Sequence, residues 1–317
     1  MRKITVILLT ILLIFTGCVP QRAMERTLTA MGTVVSYKLY GEKGQEAFEE
    51  IDKIFTEIDN ACSLTKEDSE INKLNEIFET SNIYIVEQAR LFSECDLLEL
   101  SKNKLDLTVG ALTSLWDIGF LGKTVPENIG DALKNVDGNK TEIKDGVYHI
   151  GENQKIDLGA VTKGYALDKA KEILEKHNTS GVVTLGGSVL FCGKNPNNEK
   201  WTCAVKNPFN TSEFLGIISL KEGFISTSGS YERFFTENNK TYHHIIDATT
   251  GYPSDTDIVS VTVIADNGFL SDALSTVCFM LGIKESRNVL EKFNAKAIFV
   301  DKNKNITVVG DVDFEAY

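Results

Sequence analysis

A block of strand-like segments in the second half of the chain constrains the fold most. Such segments follow one another at residues 181–192, 201–206, 215–220, 224–228, 241–246 and 258–264. Further strands are predicted at 33–40, 296–300 and 306–309, and residues 142–150 read as a hairpin about Asp145-Gly146. Because strands and helices come in blocks rather than in strict alternation, the pattern predicts an α+β fold with large, mostly antiparallel sheets.

Apolar residues at helical spacing predict helices packed on these sheets. The predicted helices are 45–62, 85–100, 109–118, 160–177, 268–282 and 283–293. No linker rich in Pro, Gly or Ser interrupts the chain, so residues 31–317 are predicted to form one domain.

Charge limits the kinds of partner. The formal net charge of the 317 residues is −12, which argues against nucleic acid or an anionic membrane surface as a general partner. An anionic substrate would therefore need a local cation or a metal ion.

The N-terminus differs in kind from the rest of the chain. A basic start is followed by an apolar run, residues 4–15, that is too short to span a bilayer comfortably. The run ends in Phe15-Thr16-Gly17-Cys18, which resembles a bacterial lipoprotein cleavage box; a plain membrane anchor and an ordinary secretory signal are the alternatives. We predict a signal peptide at 1–17, lipidation at Cys18, a tether at 18–30, and a location on the extracytoplasmic face of the membrane.

Five cysteines follow Cys18, an odd number, and none has the CxxC spacing of a zinc or redox site. Cys62, Cys95 and Cys278 fall on apolar faces and are predicted to lie in the core. Cys192 and Cys203 flank a turn-like stretch, so they could face each other in a hairpin as a disulfide.

Several stretches hold more glycine and small polar residues than core packing requires. In "KLDLTVG" (104–110), Asp106 and Thr108 lead into a helix that either could cap. In "KIDLGAVTKGYALD" (155–168), two glycines bracket a helix start, where backbone amides and Lys163 suit a phosphate. Taken singly, the second stretch is better explained by an ordinary strand-to-helix turn with a solvated lysine.

The stretch "HHIIDATTGYP" (243–253) combines two histidines with an aspartate. His243 and His244 end a predicted strand, and Asp247 opens the turn that follows. A strand histidine is usually structural, whereas one beside an acid-bearing turn is a candidate for acid–base catalysis.

The helix "GFLSDALSTVCFMLG" (268–282) is apolar along one face, yet it carries Asp272 and Thr276 one turn apart. Asp272 could simply favour the positive helix end next to a Ser271 cap. Alternatively, the two side chains supply oxygen ligands for a metal ion. The chain has no Walker loop, GxSxG elbow, HExxH pair or GxGxxG fingerprint, which removes the commonest hydrolase and Rossmann interpretations.

Seven stretches together resemble, in order, the FAD:protein FMN transferases of the ApbE family. These are "MGTVVSY" (31–37), "LDLTVGALTSLW" (105–116), "IDLGAVTKGYALD" (156–168), "TLGG" (184–187), "STSGSYERFF" (226–235), "HHIIDATTGYP" (243–253) and "SDALSTV" (271–277). The resemblance covers essentially the whole chain after the signal segment. It implies an α+β fold with a flavin cleft between two lobes, and it implies magnesium.

The resemblance also assigns roles to individual positions. Asp272, Thr276 and the backbone carbonyl of Ala160 match metal ligands, and His244 matches the histidine of a His-Ile-Ile-Asp motif as a base. Positions that match flavin-nucleotide contacts are Met31, Thr65, Asp106, Leu107, Thr108, Asp157, Lys163, Ile246 and Ser275. Two positions depart from the family pattern: Ala248 stands where proline is usual, and Ser188 where Asn or Asp is usual.

The implied activity is Mg²⁺-dependent transfer of FMN from FAD to a Thr or Ser hydroxyl of an acceptor protein, with release of AMP. One carboxylate, one hydroxyl and one carbonyl suit Mg²⁺, which uses few protein ligands and shares substrate phosphates. The chain matches the family's acceptor signature only in part, so self-flavinylation is not expected. An FAD pyrophosphatase and a flavin-binding lipoprotein without catalysis remain the alternatives.

Overall fold

A computed structural model of the protein describes residues 23–197 and 199–317. Its helices are α1 (Gly44–Cys62), α2 (Glu70–Ile77), α3 (Ile83–Glu94), α4 (Leu97–Leu100), α5 (Gly110–Trp116), α6 (Ile129–Leu133), α7 (Thr162–Lys176) and α8 (Gly268–Lys292). Its strands are β1 (Met24–Ala30), β2 (Thr33–Tyr40), β3 (Glu79–Thr80), β4 (Glu142–Lys144), β5 (Val147–His149), β6 (Ser180–Leu185), β7 (Ser188–Cys192), β8 (Trp201–Lys206), β9 (Phe214–Leu220), β10 (Gly223–Gly229), β11 (Phe234–Glu237), β12 (Lys240–His243), β13 (Ile258–Ala265), β14 (Lys296–Asp301), β15 (Ile306–Val309) and β16 (Phe314–Ala316). The signal segment 1–17 and Cys18 lie outside the described residues, and no helix within the described part is long and apolar enough to cross a membrane.

One eight-stranded sheet forms the centre of the molecule. Its strand order is β1-β2-β6-β7-β10-β13-β14-β15, and all neighbouring strands run antiparallel. The turns at Met31-Gly32 and Gly186-Gly187 meet at one end of this sheet, where Gly186 donates its N–H to the carbonyl oxygen of Val34 at 3.1 Å. The α+β prediction with a large antiparallel sheet is confirmed.

The domain begins earlier than the sequence-based boundary at residue 31. Residues 24–30, which fall in the predicted tether, form the edge strand β1 and pair along their whole length with β2. Strand β1 has a mostly exposed, polar outer face, so its sequence lacks the apolar alternation that marks a buried strand.

Helices α1, α7 and α8 cover one face of the sheet and bury the main hydrophobic core. Tyr37 of the sheet, Phe55 of α1 and Phe279 of α8 are almost completely buried there. Helices α7 and α8 touch through glycines, because a Cβ placed on Gly164 would lie 2.1 Å from the carbonyl oxygen of Gly268. This close crossing brings the start of α7 against the first half of α8.

The opposite face of the sheet packs against a small sheet of order β16-β9-β8. This arrangement contradicts the disulfide suggested for Cys192 and Cys203. Cys192 ends β7 in the large sheet, Cys203 lies in β8 of the small sheet, and both thiols are free. The two strands do not pair as a hairpin because β8 pairs with β9 instead.

A second, smaller lobe forms around Trp116. Helices α5 and α6 and the β11–β12 hairpin share an apolar cluster in which Trp116 packs against Phe235, Tyr242 and Tyr252. The Trp116 Nε1 donates a hydrogen bond to the carbonyl of Gly251 at 2.7 Å, which fixes the turn after the two histidines to this lobe.

Three predicted helices differ in detail. The helix predicted over 85–100 is divided into α3 and α4 at Asp96, which has a left-handed backbone conformation. The helices predicted at 268–282 and 283–293 form α8, which bends at Gly282 where φ is 73°.

Candidate active site

Asp272 is a buried carboxylate between α8, α7 and β7. One oxygen, Oδ2, accepts the N–H of Gly164 at 2.9 Å and lies 3.6 Å from the Lys163 Nζ. The other, Oδ1, accepts the hydroxyl of Ser188 at 3.2 Å. Helix α8 begins at Gly268 with Asn267 as its N-cap, so Ser271 is not the cap and Asp272 is not in the first turn. The helix-end explanation of Asp272 is therefore wrong.

Thr276 lies one turn further along α8 and is half-buried. Its hydroxyl is 3.2 Å from that of Ser228 on strand β10. Ser275, predicted as a flavin contact, is almost completely buried and donates its hydroxyl to the carbonyl of Asp272 at 2.8 Å. The hydroxyl of Ser275 thus faces the protein interior.

The start of α7 lies directly against Asp272. Ala160 occupies the turn before the helix and is partly exposed, and Lys163 donates to the carbonyl of Gly159 at 3.2 Å. The amides of Gly159 and Gly164 are not available to a phosphate in this arrangement, because the carboxylates of Asp157 and Asp272 accept them. Lys163 supplies a partly exposed positive charge at this turn, with 31% of its side chain exposed.

The predicted site residues of the 104–110 loop form hydrogen bonds that hold the loop in place. Asp106 accepts the amide and the hydroxyl of Thr108 at 2.8 and 2.7 Å, and its second oxygen accepts the amide of Gly138 at 2.8 Å. Leu107 is buried in the main core, and its carbonyl accepts the amide of Asp157 at 2.8 Å. These contacts bring the loop beside the strand-like segment that leads into α7.

An ion pair between Lys104 and the buried carboxylate of Asp247 joins this loop to the histidine motif. Lys104 donates to a carboxylate oxygen of Asp247 at 2.6 Å, and its carbonyl accepts the amide of Ala248 at 2.9 Å. The other oxygen of Asp247 accepts the amide and hydroxyl of Thr249. Asp247 therefore closes the turn after His244 and is not free to act as a base.

The two histidines have different environments. The His243 ring is buried, with Nε2 3.1 Å from the carbonyl of Ser254 and Nδ1 accepting the amide of Ile245 at 3.3 Å, so both nitrogens are used. His244 is only partly buried, and its Nδ1 lies 3.4 Å from the carbonyl of Arg233. A carbonyl only accepts hydrogen bonds, so Nδ1 carries the proton and Nε2 has a free lone pair.

Burial and nearby cations keep His244 neutral. Desolvation, with the charges of Arg233, His243 and Lys163, lowers the pKa of His244 to about 4. The charge of Lys163 therefore acts on both Asp272 and His244.

The remaining predicted contacts lie around this centre. Met31 forms the turn between β1 and β2 with φ of 52°, and Ile246 is buried and bridges to Pro253. Thr65 is exposed, and its hydroxyl pairs with that of Ser63 in the loop after α1. Among the described contacts, none joins Thr65 to Asp272 or His244, so its role stays a prediction.

The donor set suits a hard cation that shares its ligands with a substrate. Among residues 23–197 and 199–317, no three His, Cys, Asp or Glu side chains cluster as a complete metal site. Mg²⁺ typically takes one or two carboxylates and completes its shell with water and phosphate oxygens. Asp272 with the oxygens of Thr276 and Ala160 fits that requirement.

A sequence profile described as the ApbE family matches residues 31–299. The chain belongs to the ApbE family. It is 33% identical to the ApbE protein of Thermotoga maritima, whose crystal structure superposes with a TM-score of 0.80 over 90% of this chain and 97% of that one. It is also 28% identical to the FAD:protein FMN transferase of Treponema pallidum, over 90% of this chain and 86% of that protein. The FAD:protein FMN transferase of Klebsiella pneumoniae is 33% identical over 63% and 64% of the two chains.

Four residues of this ApbE site were missed or left without a role by sequence reasoning. They are Lys104, Asp168, Ser188 and Ser228. Asp168 accepts the amides of Gly268 and Phe269 at 2.7 and 2.8 Å and so fixes the start of α8, and burial raises the pKa of its carboxyl to about 6. For Ser188 and Ser228 the sequence does carry a signal, since "TLGGSVLF" (184–191) and "ISTSGSYERFF" (225–235) combine glycines with hydroxyls in a way that permits close approach to a ligand.

Proposed function

We propose that this ApbE-family protein transfers FMN from FAD to a Thr or Ser hydroxyl of an acceptor protein. The acceptor oxygen forms a bond to the flavin-side phosphorus, the bond to the bridging oxygen between the two phosphates breaks, and AMP leaves with that oxygen. The hydroxyl proton passes to a base. The observation that carries the proposal is the Lys163 ammonium, partly exposed and 3.6 Å from the buried carboxylate of Asp272, in a chain of the ApbE family.

His244 is the base in this proposal. Its Nδ1–H points to the carbonyl of Arg233, which leaves Nε2 to accept the proton of the attacking hydroxyl. Because its pKa is about 4, the imidazole is unprotonated at neutral pH and needs no prior deprotonation.

Lys163 binds the phosphates. It is the first-turn lysine of α7, tethered through the Gly159 carbonyl, and its ammonium is partly exposed. A fixed cation is required here because the chain as a whole carries a net charge of −12 and repels a diphosphate.

Asp272, Thr276 and the carbonyl of Ala160 are the groups that would hold Mg²⁺ in this proposal. When bound, Mg²⁺ would neutralise phosphate charge and stabilise the negative charge that develops on the departing AMP. The residues that fix Asp272 for this task are Gly164 through its amide and Ser188 through its hydroxyl.

The location of the protein is part of the proposal. The segment ending in Phe15-Thr16-Gly17-Cys18 supports lipid attachment at Cys18 and work on the extracytoplasmic face of a membrane. Acceptor proteins would then be flavin-carrying proteins exposed on that same face.

Asp272→Asn tests this function against a purely structural role of the carboxylate. The amide keeps the shape of the side chain but removes its charge, so we expect a folded protein whose transfer rate is lower by several orders of magnitude. Thr276→Val should act in the same direction, and the double variant should be little worse than Asp272→Asn alone, because both residues serve one ion. The rate is measured as AMP release from FAD, first in the presence of EDTA and then after Mg²⁺ is restored. A folded Asp272→Asn protein that transfers FMN at the wild-type rate in limiting Mg²⁺ would refute the metal role.

A further inference from the structure

Five hydroxyl side chains meet where strand β10 packs on the first half of α8. We call this group the hydroxyl seam. Its members are Ser226, Ser228, Ser271, Ser275 and Thr276. The rest of this half of α8 buries apolar side chains such as Ala273, Leu274 and Val277. A row of hydroxyls in a helix–sheet interface buries less apolar surface than alanine or valine would, so it calls for a reason beyond packing.

The hydrogen-bond geometry of the seam fixes the direction of each proton at its outer end. Ser275 donates its single hydroxyl proton to the carbonyl of Asp272 at 2.8 Å. The 2.7 Å contact between Ser228 and Ser275 must then be donated by Ser228, because a hydroxyl has one proton. The 3.2 Å contact between Thr276 and Ser228 is consequently donated by Thr276.

This order of donation leaves the oxygen of Thr276 as an acceptor only. Its proton is given to Ser228, so the two lone pairs of the oxygen remain to accept. Such an oxygen can bind a cation, but it cannot donate to a phosphate oxygen. The half-buried position of Thr276 keeps this oxygen within reach of a ligand.

We propose that Ser228 is a positioning residue that orients the Thr276 hydroxyl as a cation ligand and prevents it from donating to phosphate. The inference rests on the proposed function, because it assumes that the cation bound at Asp272 and Thr276 assists phosphate chemistry. Ser228 does not itself touch the substrate. It acts through Thr276, as groups that hydrogen-bond to metal ligands commonly do.

Ser228→Ala removes the acceptor that holds the proton of Thr276. We expect the affinity for Mn²⁺, used as a paramagnetic substitute for Mg²⁺, to fall by about 10–100-fold in the presence of FAD. Electron paramagnetic resonance of free Mn²⁺ measures this affinity without any turnover. Ser228→Thr keeps the hydroxyl and should recover most of the affinity.

Ser226→Ala is the matched control. Ser226 belongs to the same seam and strand but pairs with Ser271 at 2.8 Å and with neither predicted ligand. Its loss should change unfolding temperature about as much as Ser228→Ala while leaving Mn²⁺ affinity near wild type. If Ser228→Ala does not fold, Ser228→Cys replaces it, because a thiol is similar in shape and a poor hydrogen-bonding group.

Wild-type affinity in a folded Ser228→Ala or Ser228→Cys protein would overturn the inference, and so would an equal loss in Ser226→Ala. Both results would leave FMN transfer itself untouched. A wild-type protein that transfers FMN after exhaustive chelation and binds no Mn²⁺ would remove the metal part of the proposed function, and the inference with it.

Discussion

At the scale of single residues, His243 and His244 show how neighbouring identical side chains acquire different tasks. Both imidazoles have pKa values lowered to about 4, mainly by desolvation. In His243 both ring nitrogens are used in buried hydrogen bonds, whereas His244 keeps Nε2 free. The pKa values alone would not distinguish them. Their hydrogen-bond partners do, and these partners cannot be identified from the sequence "HHII".

Substitution should separate the two roles. His244→Gln should fold normally and transfer FMN about 10²–10⁴-fold more slowly, because it removes the base and little else. His243→Ala should instead lower the free energy of unfolding by about 1–3 kcal/mol, since it leaves the carbonyl of Ser254 and the amide of Ile245 without their partner. Denaturant unfolding and single-turnover transfer measure the two effects. Equal losses of activity in both variants, with no loss of stability in either, would contradict the assignment.

The pH dependence follows from the lowered pKa of His244. The base is active when neutral, so its contribution is complete above the pKa of about 4 and lost as the pH falls through that value. We therefore expect the acid limb of kcat/KM to lie near pH 4 and the rate to be flat between about pH 5 and 7 on this account. An acid limb near the ordinary histidine value of 6.5 that disappears in His244→Gln would show that His244 is not desolvated in the working enzyme.

At the scale of secondary-structure elements, the crossing of α7 and α8 places Lys163 against Asp272. Gly164 allows this approach, because any Cβ there would lie 2.1 Å from the Gly268 carbonyl and 2.7 Å from the Cβ of Asp272. Asp168, one turn further along α7, fixes the start of α8 through two amides. The two helices thus form one rigid support for the site.

Gly164→Ala should push the helices apart. We expect a loss of about 1–3 kcal/mol in the free energy of unfolding, together with a loss of FMN transfer, because Asp272 shifts relative to Lys163. Gly130→Ala in α6 is the control, since a Cβ there meets nothing within 4 Å and alanine favours a helix. Thermal unfolding of both variants measures the difference. A Gly164→Ala protein as stable and active as Gly130→Ala would show that the crossing does not hold the site.

Much of the element order was predictable, and the failures have physical causes. The strands predicted at 201–206, 215–220, 224–228 and 258–264 and the helix over 160–177 carry strong periodic patterns, so they were placed closely. The run predicted at 181–192 is divided into β6 and β7 by the turn at Gly186-Gly187, and the short strand β11 was missed. The edge strand at Met24–Ala30 was missed because it buries little apolar surface. The disulfide between Cys192 and Cys203 was wrong because sequence proximity does not reveal that β7 and β8 join different sheets.

The candidate site was predictable only in outline. Asp272, Lys163 and His244 were found, and the resemblance to the ApbE family supplied most of the assignments. The roles of Lys104, Asp168 and Ser228 depend on contacts between segments more than 40 residues apart, which no local pattern encodes. Asp106 and Thr108 were predicted as flavin contacts from the family resemblance. In the described structure their side chains hold a loop together.

At the scale of the whole molecule, strand β1 determines which end of the large sheet would lie next to an N-terminal membrane anchor. Met24 begins β1 at the end of the sheet that holds Leu39, Gly181 and Cys192, and β1 runs from there to the turn at Met31. The Met31 turn lies at the same sheet end as Gly186, next to Ser188 and the buried carboxylate it contacts. A chain tethered through residues before Met24 is thus attached at the sheet end away from that turn.

Cys18→Ser tests the anchor. Thioether attachment of lipid needs the cysteine sulfur, so the variant should stay unprocessed or lack lipid when expressed in bacteria that make lipoproteins. Cys203→Ser is the control and should keep the lipid, since Cys203 is a free thiol within the domain. Metabolic labelling with a fatty-acid analogue reports the outcome. A Cys18→Ser protein that is still labelled and cleaved at the same position would exclude lipidation at this residue.

The most direct test of FMN transfer is the intact mass of an acceptor protein after incubation with this protein, FAD and Mg²⁺. We predict that the acceptor gains the mass of FMN less one water on a Thr or Ser, that AMP appears in equal amount, and that EDTA and Asp272→Asn both prevent the gain. AMP released with FMN left free in solution, and an acceptor of unchanged mass, would instead make the protein an FAD pyrophosphatase. Bound FAD with neither AMP nor a change in acceptor mass would contradict catalysis altogether.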